Sequence, residues 1–257
     1  MDRRIKRYID KLLLRQTLKR WQMHASGVEQ VDLARLQDLR ADAKSLRQPL
    51  DNVIRVADSR LALPRVGSTA MRKVAGADWS WRPDLWRFPL ARSGYCAIDA
   101  GTPLDAGVKL FHDCTLAEMT ARQVRSRREA DLAPFAVQID VLEFQGSFLS
   151  LVIDVPPEGL SGMTREHILR VDCSVETERP LEVFARLNLR HGTRSEQVVR
   201  EMPVDAGVCF AEFDLAYTSV GDNRVEAAWL DLIFENPRLN QITVRDVTVN
   251  RRLRAQL

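Results

Sequence analysis

The stretches LRVDCSV (residues 169–175), VFARLNLR (183–190) and CFAEFDL (209–215) decide the fold, because an apolar residue recurs at every second position in each of them. This period of two is typical of a β-strand with one face in a core and the other towards solvent. Comparable segments, separated by Pro, Gly and Asn turn signals, follow one another over residues 135–252. The sequence therefore predicts a mainly β protein, an antiparallel, jelly-roll-like β-sandwich.

Polar side chains fill most of the alternate positions of these strands and define the predicted outer face. They are Arg170, Asp172, Arg186, Asn188, Arg190, Glu212 and Asp214. If the strands share one sheet, arginines beside Asp and Asn provide the planar hydrogen bonding that holds sugars and carboxylates. These residues are therefore candidates for binding a glycan or an acidic small molecule. The alternative is an ordinary solvated face with opposite charges paired across strands.

Two segments near the C-terminus predict further strands. WLDLIF (229–234) is almost continuously apolar, which is typical of a central strand covered on both faces. Its one polar residue, Asp231, would need hydrogen-bonding partners when buried. In ITVRDVTV (242–249) the alternation breaks at Arg245 and Asp246, which predicts a β-bulge.

A tryptophan cluster precedes the strands, in GADWSWRPDLWRFPL (76–90). It contains Trp79, Trp81 and Trp86. Aromatic faces can stack on sugar rings while nearby polar side chains bond the hydroxyls, so these tryptophans are also candidate ligand-binding residues. The favoured alternative is that they close the edge of the sandwich where the chain enters it.

The N-terminal segment, residues 1–60, differs in character from the rest of the chain. Its opening, MDRRIKRYIDKLLLRQTLKRWQ (1–22), is strongly basic and predicts an amphipathic helix. The apolar stripe of that helix is Ile5, Tyr8, Ile9, Leu12 and Leu13, and the basic far side is Arg4, Arg7 and Lys11. Such a helix could lie on an anionic membrane or dock on a protein. Nucleic acid is the least favoured partner, because the segment has few aromatic residues and no recognised nucleic-acid-binding motif.

A second helix is predicted over residues 28–47. We expect it to end before Pro49, because a proline disfavours helical geometry in the residue before it. The chain then loses its periodicity and becomes richer in glycine, which predicts a linker over residues 61–76 and a β-sandwich domain over residues 77–257. The length of 257 residues suits one main domain with an appendage.

The sequence offers no recognisable constellation for catalysis, a metal or a cofactor. The four cysteines are widely spaced, so we expect free, buried thiols rather than a zinc site or a disulfide framework. In FHDC (111–114), His112 and Cys114 would share one face of a strand while Asp113 points to the other, which favours packing over a nucleophile pair. We expect a non-enzymatic protein without a cofactor. A hydrolase is a remote alternative, since it needs carboxylates, or a His and a carboxylate, that converge in a pocket.

Charge and hydropathy predict the environment of the protein. The net charge of +3 is too small to imply a polyanionic partner for the whole chain. The sequence has no apolar run of bilayer length, and its first residues lack the pattern of a secretion signal. We therefore expect a cytoplasmic protein, with peripheral contact of the N-terminal helix on the inner membrane as one hypothesis.

Several motifs resemble those of an uncharacterised family of domain-of-unknown-function proteins from alphaproteobacteria of the Rhodobacter group. They are FHDC (111–114), FQGSFLSLVID (144–154), FARLNLRHG (184–192), EFDLAY (212–217), WLDLIFENPRLN (229–240) and RRLRAQL (251–257). The resemblance covers residues 79–257 and implies a bacterial source but no functional residues. In strand pattern alone, the chain is also similar to galactose-binding-like and carbohydrate-binding jelly rolls, which implies a carbohydrate-binding-like module.

Overall fold

The structure, a computed structural model, describes residues 3–62, 71–218 and 225–254, with side chains described from residue 7 onward. The chain divides into two compact units, residues 1–54 and residues 55–257. Half of the predicted linker, residues 63–70, lies outside the described residues.

The first unit is helical. Helix α1 spans Arg3–Gly27, a 3-10 turn follows at Val28–Gln30, and helix α2 spans Leu33–Ala62 and so extends into the second unit. Asp32 caps the start of α2 by accepting a hydrogen bond from the backbone N–H of Arg35 at 3.0 Å. The prediction that this helix ends before Pro49 is wrong, because Pro49 lies inside α2. A proline removes one backbone donor, and neither proline nor glycine occurs from residue 50 to residue 62 to end the helix sooner.

The second unit contains the strands, with two short helices, α3 (Asp84–Arg87) and α4 (Pro157–Leu160). The strands are β1 (Ala77–Trp81), β2 (Gly94–Cys96), β3 (Thr102–Asp105), β4 (Val108–His112), β5 (Ala117–Arg125), β6 (Phe135–Phe144), β7 (Phe148–Asp154), β8 (His167–Thr177), β9 (Val183–His191), β10 (Arg194–Glu201), β11 (Val208–Asp214), β12 (Ala227–Glu235) and β13 (Asn240–Leu253).

The strands form two antiparallel sheets that face each other across one core. The seven-stranded sheet has the order β11-β8-β13-β6-β5-β2, and β1 also pairs with β13. The six-stranded sheet has the order β10-β9-β12-β7-β4-β3. After β5, the chain crosses between the sheets at every connection except the hairpins β5–β6 and β9–β10. This wrapping is jelly-roll-like, and the predicted fold class, with helices before a mainly β sandwich, is confirmed.

The alternation of the sequence builds the core. In β8, Leu169 and Val171 are fully buried, while Arg170 between them points outward and is partly exposed. In β9, Leu187 and Leu189 are likewise fully buried. The inward side chains of both sheets therefore meet in a single apolar layer, and the outward side chains form two separate outer faces.

The two C-terminal segments fold as predicted. Strand β12 lies in the middle of the six-stranded sheet, between β9 and β7. The pairing of β13 shifts register between Val244 and Asp246, which confirms the bulge. At this bulge β13 changes its neighbour, because β6 pairs with residues 240–244 and β1 pairs with residues 249–252.

A buried ion pair fills the position where the neighbour of β13 changes. Arg82 donates from Nε to one oxygen of Asp246 and from Nη2 to the other, each at 2.7 Å. Both residues are buried, and a two-point pair of this kind satisfies a carboxylate that the bulge places away from water. The pair joins the segment after β1 to the C-terminal strand.

Candidate functional site

The predicted polar residues do not form one face. One group lies on the seven-stranded sheet and consists of Arg170, Asp172, Glu212 and Asp214. The other lies on the six-stranded sheet and consists of Arg186, Asn188 and Arg190. The condition that these strands share one sheet is not met, because the chain crosses from one sheet to the other between β8 and β9. Alternation indicates which side chains point outward, but it does not indicate which sheet a strand joins.

On the seven-stranded sheet, Arg170 is the centre of a network of ion pairs. Its Nη2 lies 2.8 Å from Oδ1 of Asp172, and its Nη1 lies 3.4 Å from Oε1 of Glu212. The guanidinium carbon also lies 3.9 Å from the ring centroid of Phe210. The hydrogen bond with Asp172 outweighs the opposing effect of burial and raises the pKa of Arg170. The partners of this arginine are therefore supplied from within the protein.

The neighbouring candidates on the same sheet are paired as well. Asp172 accepts a long hydrogen bond of 3.4 Å from Asn250, and Asn250 accepts one of 2.7 Å from Ser80. Asp214 lies 3.1 Å from Nε of Arg254. This part of the seven-stranded sheet thus matches the alternative of a charge-paired outer face.

On the six-stranded sheet, a buried carboxylate holds an exposed arginine. Asp231 is 2% exposed and accepts hydrogen bonds from Nε of Arg186 at 2.6 Å and from Nδ2 of Asn188 at 2.9 Å. The prediction that buried Asp231 needs partners is therefore confirmed. The side chain of Arg186 is 32% exposed, and its two terminal nitrogens form no hydrogen bond or ion pair with any of the described residues. Arg190 is exposed at the end of the same row.

One aromatic side chain, Trp229, lies near this arginine, and a second, Phe111, lies on the same face three strands away. Trp229 is half-buried and pairs in register with Asn188, so it points to the same outer face as Asp231 two residues further along β12. Phe111, on β4, is 46% exposed on this face and pairs with Ser150. The outer face of the six-stranded sheet therefore combines aromatic surface with hydrogen-bonding groups, although neither Trp229 nor Phe111 could be recognised as a candidate from the sequence. The apolar run WLDLIF concealed Trp229, because a tryptophan there resembles one more core residue.

The tryptophans before the strands have different environments. Trp86 is fully buried and donates from its indole N–H to the carbonyl oxygen of Val244 at 3.0 Å. Its proposed contact with a ligand is wrong, because the ring is part of the core. Trp79 and Trp81 are half-buried and stack with their ring centroids 6.1 Å apart.

A second buried arginine fixes the corner next to Trp79. Arg251 is 8% exposed, lies 2.8 Å from Oδ2 of Asp78, and donates to the carbonyl oxygens of Gly159 at 3.0 Å and Ser161 at 2.6 Å. Burial alone would raise the pKa of Asp78, but the hydrogen bond and charge of Arg251 lower it. These contacts join β1, α4 and β13, and they give Asp78 a structural role.

The FHDC segment is also structural. Asp113 accepts a hydrogen bond from the hydroxyl of Ser147 at 2.6 Å and from its backbone N–H at 2.9 Å. The backbone N–H of Cys114 donates to Nδ1 of His112 at 3.3 Å. Two of the four free cysteines, Cys173 and Cys209, are buried as predicted, whereas Cys96 is exposed and Cys114 is partly exposed.

The described parts of the chain hold no further constellation of a familiar kind. Within residues 3–62, 71–218 and 225–254, no cluster of three or more His, Cys, Asp or Glu side chains is placed to hold a metal ion. None of the described helices has the length and hydrophobicity that crossing a membrane requires.

A cluster of arginines is a further candidate site that was not among those predicted from the sequence. The segment RQVRSRR (122–128) has four arginines in seven positions, at the end of β5 and in the loop that follows. The density of arginine was visible in the sequence. Their position in the fold could not be predicted, because only the folded sheet brings these arginines next to β13 and β8.

Solved structures similar to the chain are remote. The enzymatically active domain of the bacteriophage CBA120 tailspike protein 4 shares 7% identity at a TM-score of 0.40, over 58% of this chain and 19% of the tailspike chain. The family 11 carbohydrate-binding module from Clostridium thermocellum, in complex with a β-1,3-1,4-mixed-linked tetrasaccharide, shares 11% identity at a TM-score of 0.39, over 65% of this chain and 100% of the module. TmCBM61, in complex with β-1,4-galactotriose, shares 14% identity at a TM-score of 0.34, over 58% of this chain and 89% of that chain. Likenesses this weak carry no argument about what this chain binds.

Comparison with known sequences is more decisive about the family. No curated protein matches the chain. The predicted resemblance to an uncharacterised family is confirmed over the full length, while the bacterial group stays a prediction. The chain belongs, over residues 1–257, to a family of unknown function, DUF6478.

Proposed function

We propose that this protein is a non-catalytic binding module that holds a glycan on the outer face of its six-stranded sheet. The observation that supports this proposal best is the arrangement of Arg186 and Trp229 around Asp231. Asp231 holds the guanidinium of Arg186 through Nε, and the terminal nitrogens have no partner among the described residues. A guanidinium held in this way is a rigid hydrogen-bond donor for sugar hydroxyls or a carboxylate.

The aromatic neighbour of Arg186, Trp229, supplies the second half of a sugar site. Trp229 and Asp231 lie two positions apart on β12, so their side chains leave the sheet on the same side and about 7 Å apart. This distance places the edge of an indole ring within reach of a sugar that is bonded to Arg186. Stacking of a pyranose ring on Trp229 would bury apolar C–H groups, while the arginine would bind the hydroxyls.

The seven-stranded sheet supports this use less well near Arg170. There each charged candidate has a partner within the protein, and the exposed aromatic ring, Phe210, already lies against Arg170. A ligand would have to compete with these bonds. On the six-stranded sheet, Asp231 binds Nε of Arg186 and leaves the terminal nitrogens of the guanidinium available to a ligand.

Calorimetric titration of the full chain with a panel of neutral tetrasaccharides tests this proposal. We expect one or more gluco-, xylo- or galacto-configured tetrasaccharides to bind, and we expect Trp229→Ala to weaken binding about tenfold or more. Phe210→Ala, which removes an exposed aromatic ring from the opposite sheet, is the matched control and should leave binding unchanged. Failure of every tetrasaccharide to bind, or an equal loss in both variants, would contradict the proposal.

We also propose that helix α1 docks on an anionic membrane surface. The apolar residues on its described part are exposed, with Tyr8 at 65% and Leu13 at 56%. Ile9 and Leu12 are each 41% exposed, and the charged neighbours Arg7 and Lys11 are also exposed. The side chains of Ile5, which belongs to the predicted apolar stripe, and of Arg4, on the predicted basic far side, lie outside the described residues. An exposed apolar stripe next to basic residues suits the interface of an anionic bilayer.

Co-sedimentation with vesicles separates this proposal from docking on a protein. The full chain should bind vesicles containing phosphatidylglycerol, and binding should weaken at high salt and with neutral vesicles. Leu13→Glu should abolish binding, while Leu142→Glu, at an exposed position of the sandwich, should not. Binding to neither vesicle would contradict membrane docking and favour a protein partner.

A further inference from the structure

A shallow depression lies on the seven-stranded sheet, at the opposite end of β8 from the network around Arg170. Its volume is about 780 Å³. It is lined by Arg122, Val124, Arg125, Arg127, Arg128, Gln138, Glu176, Gln241, Thr243 and Arg245. Five of these ten residues are arginines and only one is acidic.

The register of the strands explains how the floor of the depression forms. Arg122 of β5 pairs with Gln138 of β6, Gln138 pairs with Thr243 of β13, and Thr243 pairs with Glu176 of β8. These four side chains therefore form one row across four neighbouring strands. Since strands lie about 4.8 Å apart, the row is about 14 Å long. Its centre is neutral and can both donate and accept hydrogen bonds, and its ends are charged.

Some of the arginines are already neutralised. Glu176 forms ion pairs with Arg128, from the loop after β5, and with Arg245, which donates to it from Nη2 at 2.8 Å. Arg245 also lies 3.6 Å from the carboxylate of Asp131, which is buried beside the depression. One lining carboxylate is thus shared by two arginines.

The other arginines are less engaged. Arg122 is 3.8 Å from Asp140, and Asp140 is held more closely by Gln241 at 2.6 Å and Gln138 at 3.0 Å. Arg125 and Arg127 are exposed and form no ion pair or hydrogen bond with any residue of the described ranges. The depression therefore has several guanidinium groups whose positive charge is not balanced by a neighbouring carboxylate.

We propose that this depression is a second binding site and that it takes a small polyanion, a hydroxyl-bearing molecule with two or more phosphate or carboxylate groups. Guanidinium groups bind both kinds of oxyanion through paired hydrogen bonds, and their charges raise the local concentration of anions. The neutral floor offers Gln138, Thr243 and Gln241 to the hydroxyl groups. The volume lies in the range of about 300–1,000 Å³ that is typical of small-molecule sites, which favours a small ligand over a nucleic-acid strand.

Calorimetry on the full chain tests the site with two probes of different anionic chemistry. Inositol hexakisphosphate represents phosphate groups, and tetragalacturonate represents carboxylate groups. Binding of either probe supports the proposal, and the stronger one identifies the oxyanion that the site prefers. The neutral tetrasaccharides test the glycan site proposed on the six-stranded sheet. A negative result at one site therefore does not change the result at the other.

Matched double variants locate the binding. Arg125→Gln with Arg127→Gln should weaken the binding of the preferred probe about tenfold, because both side chains are exposed and their loss leaves the sheet intact. Arg194→Gln with Arg200→Gln removes the same charge from exposed positions on β10 and should change binding by no more than about twofold. Arg40→Gln with Lys44→Gln makes the same change at exposed positions of helix α2 and should also have little effect.

Three results would overturn the proposal. The first is that neither probe binds the wild-type chain at low salt. The second is an equal loss of binding in the three double variants, which would indicate attraction to net charge alone. The third is that a single-stranded oligothymidylate binds more tightly than both small probes and loses affinity in Arg125→Gln with Arg127→Gln, which would make the depression a nucleic-acid surface.

Discussion

Nε of Arg186 donates to Oδ2 of Asp231 at 2.6 Å, across the neighbouring strands β9 and β12. One member of the pair is 2% exposed and the other has 32% of its side chain exposed, so the bond connects the interior of the six-stranded sheet to its surface. Asn188 donates a second hydrogen bond to the same carboxylate oxygen. This arrangement makes the position of Arg186 a property of the fold.

Loss of the buried carboxylate should destabilise the sandwich. Asp231→Ala leaves Arg186 and Asn188 without their shared partner, and we expect the free energy of unfolding to fall by about 2–3 kcal/mol, less than for a fully buried pair because Arg186 is partly exposed. Urea denaturation measures this change. Asp154→Ala, at an exposed position on the adjacent strand, should change stability by no more than about 0.5 kcal/mol. Equal stabilities for the two variants would contradict a structural role for the pair.

Stability in acid should depend on Asp78. The pKa of this carboxyl is lowered below 3.8 in the folded protein, against the effect of burial, by its bond to Arg251. A lowered folded-state pKa stabilises the native state above the unfolded pKa, and this contribution is lost as the pH falls through the folded pKa. Between about pH 5 and pH 2, the wild type should therefore lose more free energy of unfolding than Asp78→Asn does.

Chemical denaturation at several pH values measures the acid effect. Glu201→Gln, at an exposed carboxylate on β10 without an ion pair among the described residues, is the control and should follow the wild type. Parallel pH profiles for the wild type and Asp78→Asn would show that the bond to Arg251 does not contribute.

The tryptophans near β1 should differ in their effect on stability. Trp86→Ala removes a fully buried ring and a hydrogen bond to Val244, so we expect a loss of about 3–5 kcal/mol in the free energy of unfolding. Trp81→Ala, at a half-buried ring, should cost less than half as much. Urea denaturation that ranks the two variants in the opposite order would contradict the assignment of Trp86 to the core.

The cysteines should react with a thiol reagent in a fixed order. Cys96 is exposed and should react first with Ellman's reagent, and Cys96→Ser should remove this fast phase. Cys173 and Cys209 lie opposite each other on β8 and β11, and the Cys209 thiol donates to the backbone carbonyl oxygen of Cys173. The neighbouring Cys209 thiol, together with burial, raises the pKa of Cys173 well above its usual value. These two thiols should react only when the protein unfolds. Rapid modification of all four thiols in the native protein would contradict this order.

The sequence predicted local features of the fold better than the arrangement of its strands. The direction of Arg170 and Leu169 follows from alternation, and the bulge at Arg245 follows from its interruption, because both effects are contained in a few consecutive residues. The separation of Arg170 from Arg186 does not follow, since it depends on which sheet each strand joins. That choice is made by long-range packing of the core and not by the pattern of either strand.

In the candidate sites, too, local features could be predicted from the sequence and long-range contacts could not. The need of Asp231 for partners could be predicted from a single charge in an apolar run, but the identity of Arg186 as its partner required the register of β9 on β12. The arginines of residues 122–128 were conspicuous in the sequence, yet Arg245 joins them only through the pairing of β13 with β8 and β6. Trp86 was a candidate for both roles because a tryptophan suits a sugar platform as well as a core, although packing was the favoured alternative.

The most direct test of glycan binding on the six-stranded sheet is an NMR titration of the full chain with the best-binding neutral tetrasaccharide. The predicted result is that the indole N–H signal of Trp229 and the backbone amide signals of β9 and β12 shift, while those of β8 and β11 stay in place. Shifts confined to β8 and β11, or no shifts at saturating sugar, would contradict the proposal that Arg186 and Trp229 form the binding site.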